Sequence, residues 1–182
     1  MSAKIGVTLF ATGAMPEGHA FIEVFHEWIK RRELDELMID VADYGHVHGG
    51  PSVYFCGHES DYAIVRSVTP GLFYRRKRAP ASALPAARDG LVRAARVAGK
   101  LEREPKLAGL AFDPARFEVS YLDRLHAPNT KDAAVAAEAE LRAAIEPIVG
   151  RLRVTRVEGD PRRPLALAVA LDAPVVWSSL GG

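Results

Sequence analysis

Between Leu37 and Arg75 the chain is cut into short β-prone runs by segments that read as turns. Leu37-Met-Ile-Asp-Val-Ala, Ser52-Val-Tyr-Phe-Cys, Tyr62-Ala-Ile-Val-Arg and Gly71-Leu-Phe-Tyr-Arg are rich in β-branched and aromatic residues, and Gly, Pro, Ser and Asp separate them. The last three of these runs fit short antiparallel strands. Met38 and Ile39 are both apolar, so the first run is expected to be central rather than exposed. A strand before Pro16 precedes these runs, and Arg153-Val-Thr-Arg-Val and Leu165-Ala-Leu-Ala-Val-Ala-Leu follow them, with a turn expected at Gly159-Asp-Pro-Arg.

Three helices are expected around these strands. Phe21, Phe25, Trp28 and Ile29 fall on one face of a helix. From Leu84 to Arg103, Leu84, Ala87, Leu91, Ala94, Ala98 and Leu101 lie in one arc, with Arg88, Arg93, Arg96, Lys100 and Arg103 opposite. Pro80 and Pro85 exclude a continuous helix through 79–85, and Ser82 is a candidate cap. Pro128-Asn-Thr opens an alanine-rich helix for which Asn129 is the candidate cap, and Pro147 is expected to kink or end it. The expected fold is α+β, a mixed or mostly antiparallel sheet of six to eight strands covered by three main helices. It forms a single domain, with possible subdomains 1–78 and 84–182 joined by the Pro/Ala-rich segment.

At 182 residues the chain is long enough to bury a sizeable core, and 48% apolar with 26% charged residues is a globular composition. One cysteine excludes an intramolecular disulfide and fits a reducing, cytoplasmic setting. No run approaches the roughly 18 apolar residues of a membrane span. Residues 1–71 carry five basic and ten acidic side chains, residues 72–107 ten and three, and residues 108–182 nine and ten. An anion is attracted to the middle segment.

The stretch from Asp43 to Tyr62 holds three of the six histidines and the only cysteine. His46, His48 and His58, with Glu59 or Asp61 as base, are the donor types of a metal-dependent hydrolase. A strand between the two turns opposes that reading, because it would place His46 and His48 far from His58. Glu23-Val-Phe-His26 has the spacing of a di-iron helix but lacks a second such pair. Cys56, set among Val, Tyr and Phe, reads as a small core residue rather than a nucleophile. Arg75-Arg-Lys-Arg78, beside Phe73 and Tyr74 and leading into the basic helix, is the array a nucleic-acid backbone would need, unless acids of the first segment neutralise it. Phosphate-loop glycine motifs are absent.

The block Ile39-Asp-Val-Ala-Asp-Tyr-Gly-His-Val47, continuing through Gly50-Pro51 to Gly57-His-Glu-Ser-Asp-Tyr62, resembles a recurring block of uncharacterised bacterial proteins. The similarity extends to Arg124-Leu-His-Ala-Pro-Asn-Thr130. The resemblance brings no activity; it implies that the two segments are neighbours in space.

The leading expectation is a cytoplasmic binding domain for a small polar or anionic molecule, with a ligand site formed by Asp43, Tyr44, His46, His58, Glu59, Asp61, Tyr62 and Arg75. A homodimer is expected from the apolar tail around Trp177. No cofactor is specified. The alternatives are the metal-dependent hydrolase and nucleic-acid binding through residues 75–103.

Overall fold

Strict alternation writes the strands into the chain: Leu165, Leu167, Val169 and Leu171 are buried while Ala166, Ala168 and Ala170 face the other way. A computed structural model describes residues 4–47, 50–66, 69–78 and 84–180. Its elements are β1 (Ile5–Ala11), α1 (Gly18–Arg31), β2 (Met38–Asp43), β3 (Val53–Gly57), β4 (Ser60–Val65), β5 (Gly71–Arg76), α2 (Ala86–Leu101), β6 (Phe112–Tyr121), α3 (Lys131–Val149), β7 (Leu152–Arg156), β8 (Leu165–Leu171) and the single turn α4 (Trp177–Leu180). The fold is α+β, with three main helices and one eight-stranded sheet in the order β2-β3-β4-β5-β1-β6-β8-β7. Every neighbouring pair is antiparallel. Strand β1 lies between β5 and β6, so one sheet takes strands from both sides of the 79–85 segment, whose residues 79–83, with Ser82, lie outside the described ones.

All four helices cover the same face. The register aligns Phe55, Tyr62, Tyr74, Val7, Val119 and Leu167 in one row across the sheet. Phe25 of α1 stacks on Phe55 with ring centroids 4.3 Å apart. In α2, a Cβ on Gly90 would stand 2.8 Å from Ile5 Cδ1, so the helix backbone rests directly on β1. Tyr121 donates from its hydroxyl to Ala137 O of α3 at 3.1 Å. Trp177 of α4 meets Phe117 edge-on at 6.0 Å and donates from its indole N–H to Asp113 O. This tryptophan is only 2% exposed and belongs to the chain's own core. Trp177 thus docks the apolar tail on the chain's own core, while Val176 beside it stays 67% exposed.

Local chemistry sets the helix ends. At the end of α1, Arg32 adopts φ 51°, and the backbone N–H groups of Arg32 and Glu33 close onto Ile29 O and Trp28 O. The cap of α3 is Thr130, whose hydroxyl accepts from Ala133 N at 3.3 Å, whereas the Asn129 side-chain oxygen accepts from Arg156. Pro147 does not end α3, which continues to Val149. A proline so near the C-terminus interrupts little of the hydrogen-bond ladder beyond it.

Candidate functional site

Strand β3 separates the two turns of the 43–62 stretch. Asp43, Tyr44 and His46 lie at the end of the sheet where β2 turns into β3. There Asp43 Oδ1 accepts from Gly45 N, and the rings of Tyr44 and His46 stack at 6.4 Å. His58 and Glu59 form the β3–β4 turn at the other end, with His58 N donating to Leu37 O. Five residues of strand, about 17 Å at roughly 3.4 Å per residue, lie between them. His48 lies outside the described residues. Among the described residues no three His, Cys, Asp or Glu side chains are grouped to hold a metal ion. Glu23 pairs instead with Lys106 at 2.6 Å on the surface.

Alternation then divides the remaining candidates between the two faces. Ser60 and Tyr62 point toward the helices, whereas Asp61 points away. On the helix side, Glu36 accepts from Ser60 N at 3.1 Å, from the Ser60 hydroxyl and from Tyr62 OH at 3.0 Å. Arg76 pairs with Asp89 of α2, and its Nη2 lies 3.5 Å from Glu59 Oε2. Arg93 lies 3.2 Å from Asp89, 3.6 Å from Glu59 and 3.8 Å from Glu36. Burial, the nearby Glu36 and Tyr74 hold the Tyr62 hydroxyl well above its ordinary pKa. Glu36 and Asp89 are absent from the sequence-derived set of site residues. Asp89 did leave a signal, being the only acid between Leu84 and Leu101.

Ion pairing of the same kind neutralises three of the five basic residues on the basic face of α2. Arg96 pairs with Asp35 and Lys100 with Glu33, and Arg93 stands among three carboxylates. A polyphosphate backbone tracking this face would have to displace acids of the same chain, so the array offers far less counterion release than its arginine count promises.

On the helix-free face the register places Asp40, Cys56, Asp61, Arg75, Gly6, Ser120 and Ala166 in one row. The Asp61 side chain is 4% exposed. Its Oδ2 accepts from Arg75 Nη2 at 2.5 Å, and Lys77 Nζ stands 2.7 Å from its Oδ1. The lysine contact is one of charge, since its alignment falls outside hydrogen-bond geometry and Oδ1 has no hydrogen-bond donor. Arg75 and Lys77 remain 43% and 34% exposed. Arg75 Nε is buried without an acceptor. Among the described residues only three buried side-chain polar atoms are unsatisfied, and this cluster holds two of them.

Comparison with protein-family models and with curated proteins yields no significant match. The functional reading therefore rests on geometry alone. The segment 124–130 does share an end of the sheet with the 57–61 turn, because Tyr121 and Arg76 both close strands there. However, β5 and β1 run between β4 and β6, about three strand spacings or 14 Å at roughly 4.8 Å each.

Proposed function

We propose that the protein binds a small anionic molecule on the helix-free face of its sheet, at Arg75 and Lys77. The carrying observation is that one buried carboxylate, Asp61, stands against two cations that stay open to solvent. With one carboxylate against two cations, the cluster keeps an excess positive charge. A carboxylate or phosphate offsets that charge, because the exposed end of the guanidinium can donate to its oxygens and the lysine adds a point charge. Asp61 positions the arginine rather than contacting the ligand. No described helix is long and apolar enough to cross a membrane, and a cytoplasmic metabolite fits this reading.

Inorganic phosphate is the probe, followed by the backbone amide shifts of the protein. Saturable shifts in the millimolar range at Asp61, Arg75 and Lys77 are expected, weakened in Arg75→Gln and Lys77→Gln. Arg151→Gln, at the opposite end of the sheet, should leave them unchanged. Shifts elsewhere, or equal affinity in all three variants, would refute the proposal.

A further inference from the structure

The β6–β8 half of the helix-free face carries a second feature, independent of the anion cluster. The loop 157–164 stands beside the sheet and bounds a cleft of about 500 Å³, lined by Glu118, Ser120, Asn129, Asp160, Arg163 and Ala166. That size suits a small molecule. Most of its polar groups are already engaged: Asn129 accepts from Arg156 at 2.9 Å, and Asp160 pairs with Arg162 at 2.8 Å. Arg163 lies in the field of the same aspartate.

Glu118 is the exception. It sits half-buried between Thr8 and Ala168, and its carboxylate has a single partner, the Ser120 hydroxyl at 3.3 Å. No cation pairs with it among the described residues, and burial raises its pKa. Desolvating a carboxylate costs free energy unless a charged donor reaches it. The neighbouring strands offer none, since β1 presents threonine and β8 alanine beside it.

We propose that this cleft is a second ligand site, taking a small molecule whose primary ammonium group donates to Glu118 while its remaining polar atoms face Ser120 and Asp160. The ammonium replaces the water that the half-buried carboxylate has lost, and the charge-assisted hydrogen bond gives the cleft its selectivity. Neutral and anionic molecules of the same shape gain nothing at that position.

Three probes of one carbon skeleton test this: 1,4-diaminobutane, 1,4-butanediol and succinate, each titrated while backbone amides are followed. The diamine is expected to shift Glu118, Ser120 and Ala166 saturably, the diol to leave them unmoved, and Glu118→Gln to weaken the diamine about tenfold or more. Equal diamine binding in Glu118→Gln, or binding of the diol as strong as that of the diamine, overturns the proposal. If Glu118→Gln does not fold, Glu118→Asp takes its place; its shorter carboxylate should also weaken the diamine, and unchanged affinity counts against the site. Succinate reports separately on Arg75 and Lys77, so failure of the anion reading is distinguishable from failure of this one.

Discussion

Tyr62 donates its hydroxyl hydrogen to Glu36 Oε1 at 3.0 Å, tying the segment after α1 to the interior of β4. The Glu36 side chain is 3% exposed and also receives Ser60 N, the Ser60 hydroxyl and the Arg93 guanidinium at 3.8 Å. Removing the carboxylate strands the Ser60 and Tyr62 donors, while Arg93 keeps Asp89 and Glu59, whereas removing the phenol strands only one lone pair. Glu36→Ala is expected to cost about 2–4 kcal/mol and Tyr62→Phe about 1 kcal/mol. Urea unfolding of both variants measures the ratio; equal losses would mean that Glu36 does not organise the cluster.

Buried phenols make a prediction at alkaline pH. Burial raises the pKa of Tyr62, Tyr74 and Tyr121, that of Tyr74 to about 12. An unfolded tyrosine ionises near 10. The folded state therefore holds more protons above that pH, and stability falls as pH rises from about 10 through the folded values. Phenolate absorbance from these three tyrosines should be missing in folded protein at about pH 11 and appear together with loss of circular dichroism. A phenolate signal from Tyr62 while the fold is intact would contradict the burial described.

Strand content was legible because half-buried strands alternate, as in Leu165–Leu171, and because turn residues punctuate residues 43–71. Sheet order was not legible, since placing β1 between β5 and β6 depends on pairings that span most of the chain. The candidate site failed to appear as one unit for a related reason. Asp61 and Tyr62 are consecutive and so lie on opposite faces, and β3 carries His58 away from His46. The acids that neutralise α2, Glu33, Asp35 and Glu36, come from a loop distant in sequence. Their role emerges only once β2 is laid at the edge of the sheet. The basic face of α2 was legible; its neutralisation was foreseeable as a possibility but not residue by residue.

The junction of α2 and α4 is set by one small residue. A Cβ on Gly99 would stand 2.8 Å from Ser178 Cα and 2.9 Å from its N, both backbone atoms that cannot rotate away. Gly99→Ala should push α4 outward and draw Trp177 off Phe117. A loss of about 1–3 kcal/mol is expected, despite the higher helix propensity of alanine. Tryptophan fluorescence of the folded variant should shift to the red, with Trp28→Phe in the background so that Trp177 alone reports. An unshifted spectrum at unchanged stability would show that the chain's end accommodates the methyl group without moving.

Cys56 reads the charge balance of the proposed anion site from the next strand. Its partner across β3–β4 is Asp61, and burial, then that carboxylate, raise the thiol's pKa, with Lys77 acting in the opposite direction. Only the thiolate attacks a disulfide reagent. At about pH 8, below the ordinary thiol value of 8.5, Cys56 should therefore react with an aromatic disulfide more slowly than a free thiol. Asp61→Asn removes the second of these causes and should speed the reaction; Lys77→Gln should slow it further. Occupancy of Arg75 and Lys77 by phosphate offsets the same two cations, so saturating phosphate should slow the wild-type reaction and have little effect in Lys77→Gln. Rates that ignore Asp61→Asn in a folded variant would mean that the thiol is governed by access alone, and the row Cys56, Asp61, Arg75 would lose its electrostatic coupling.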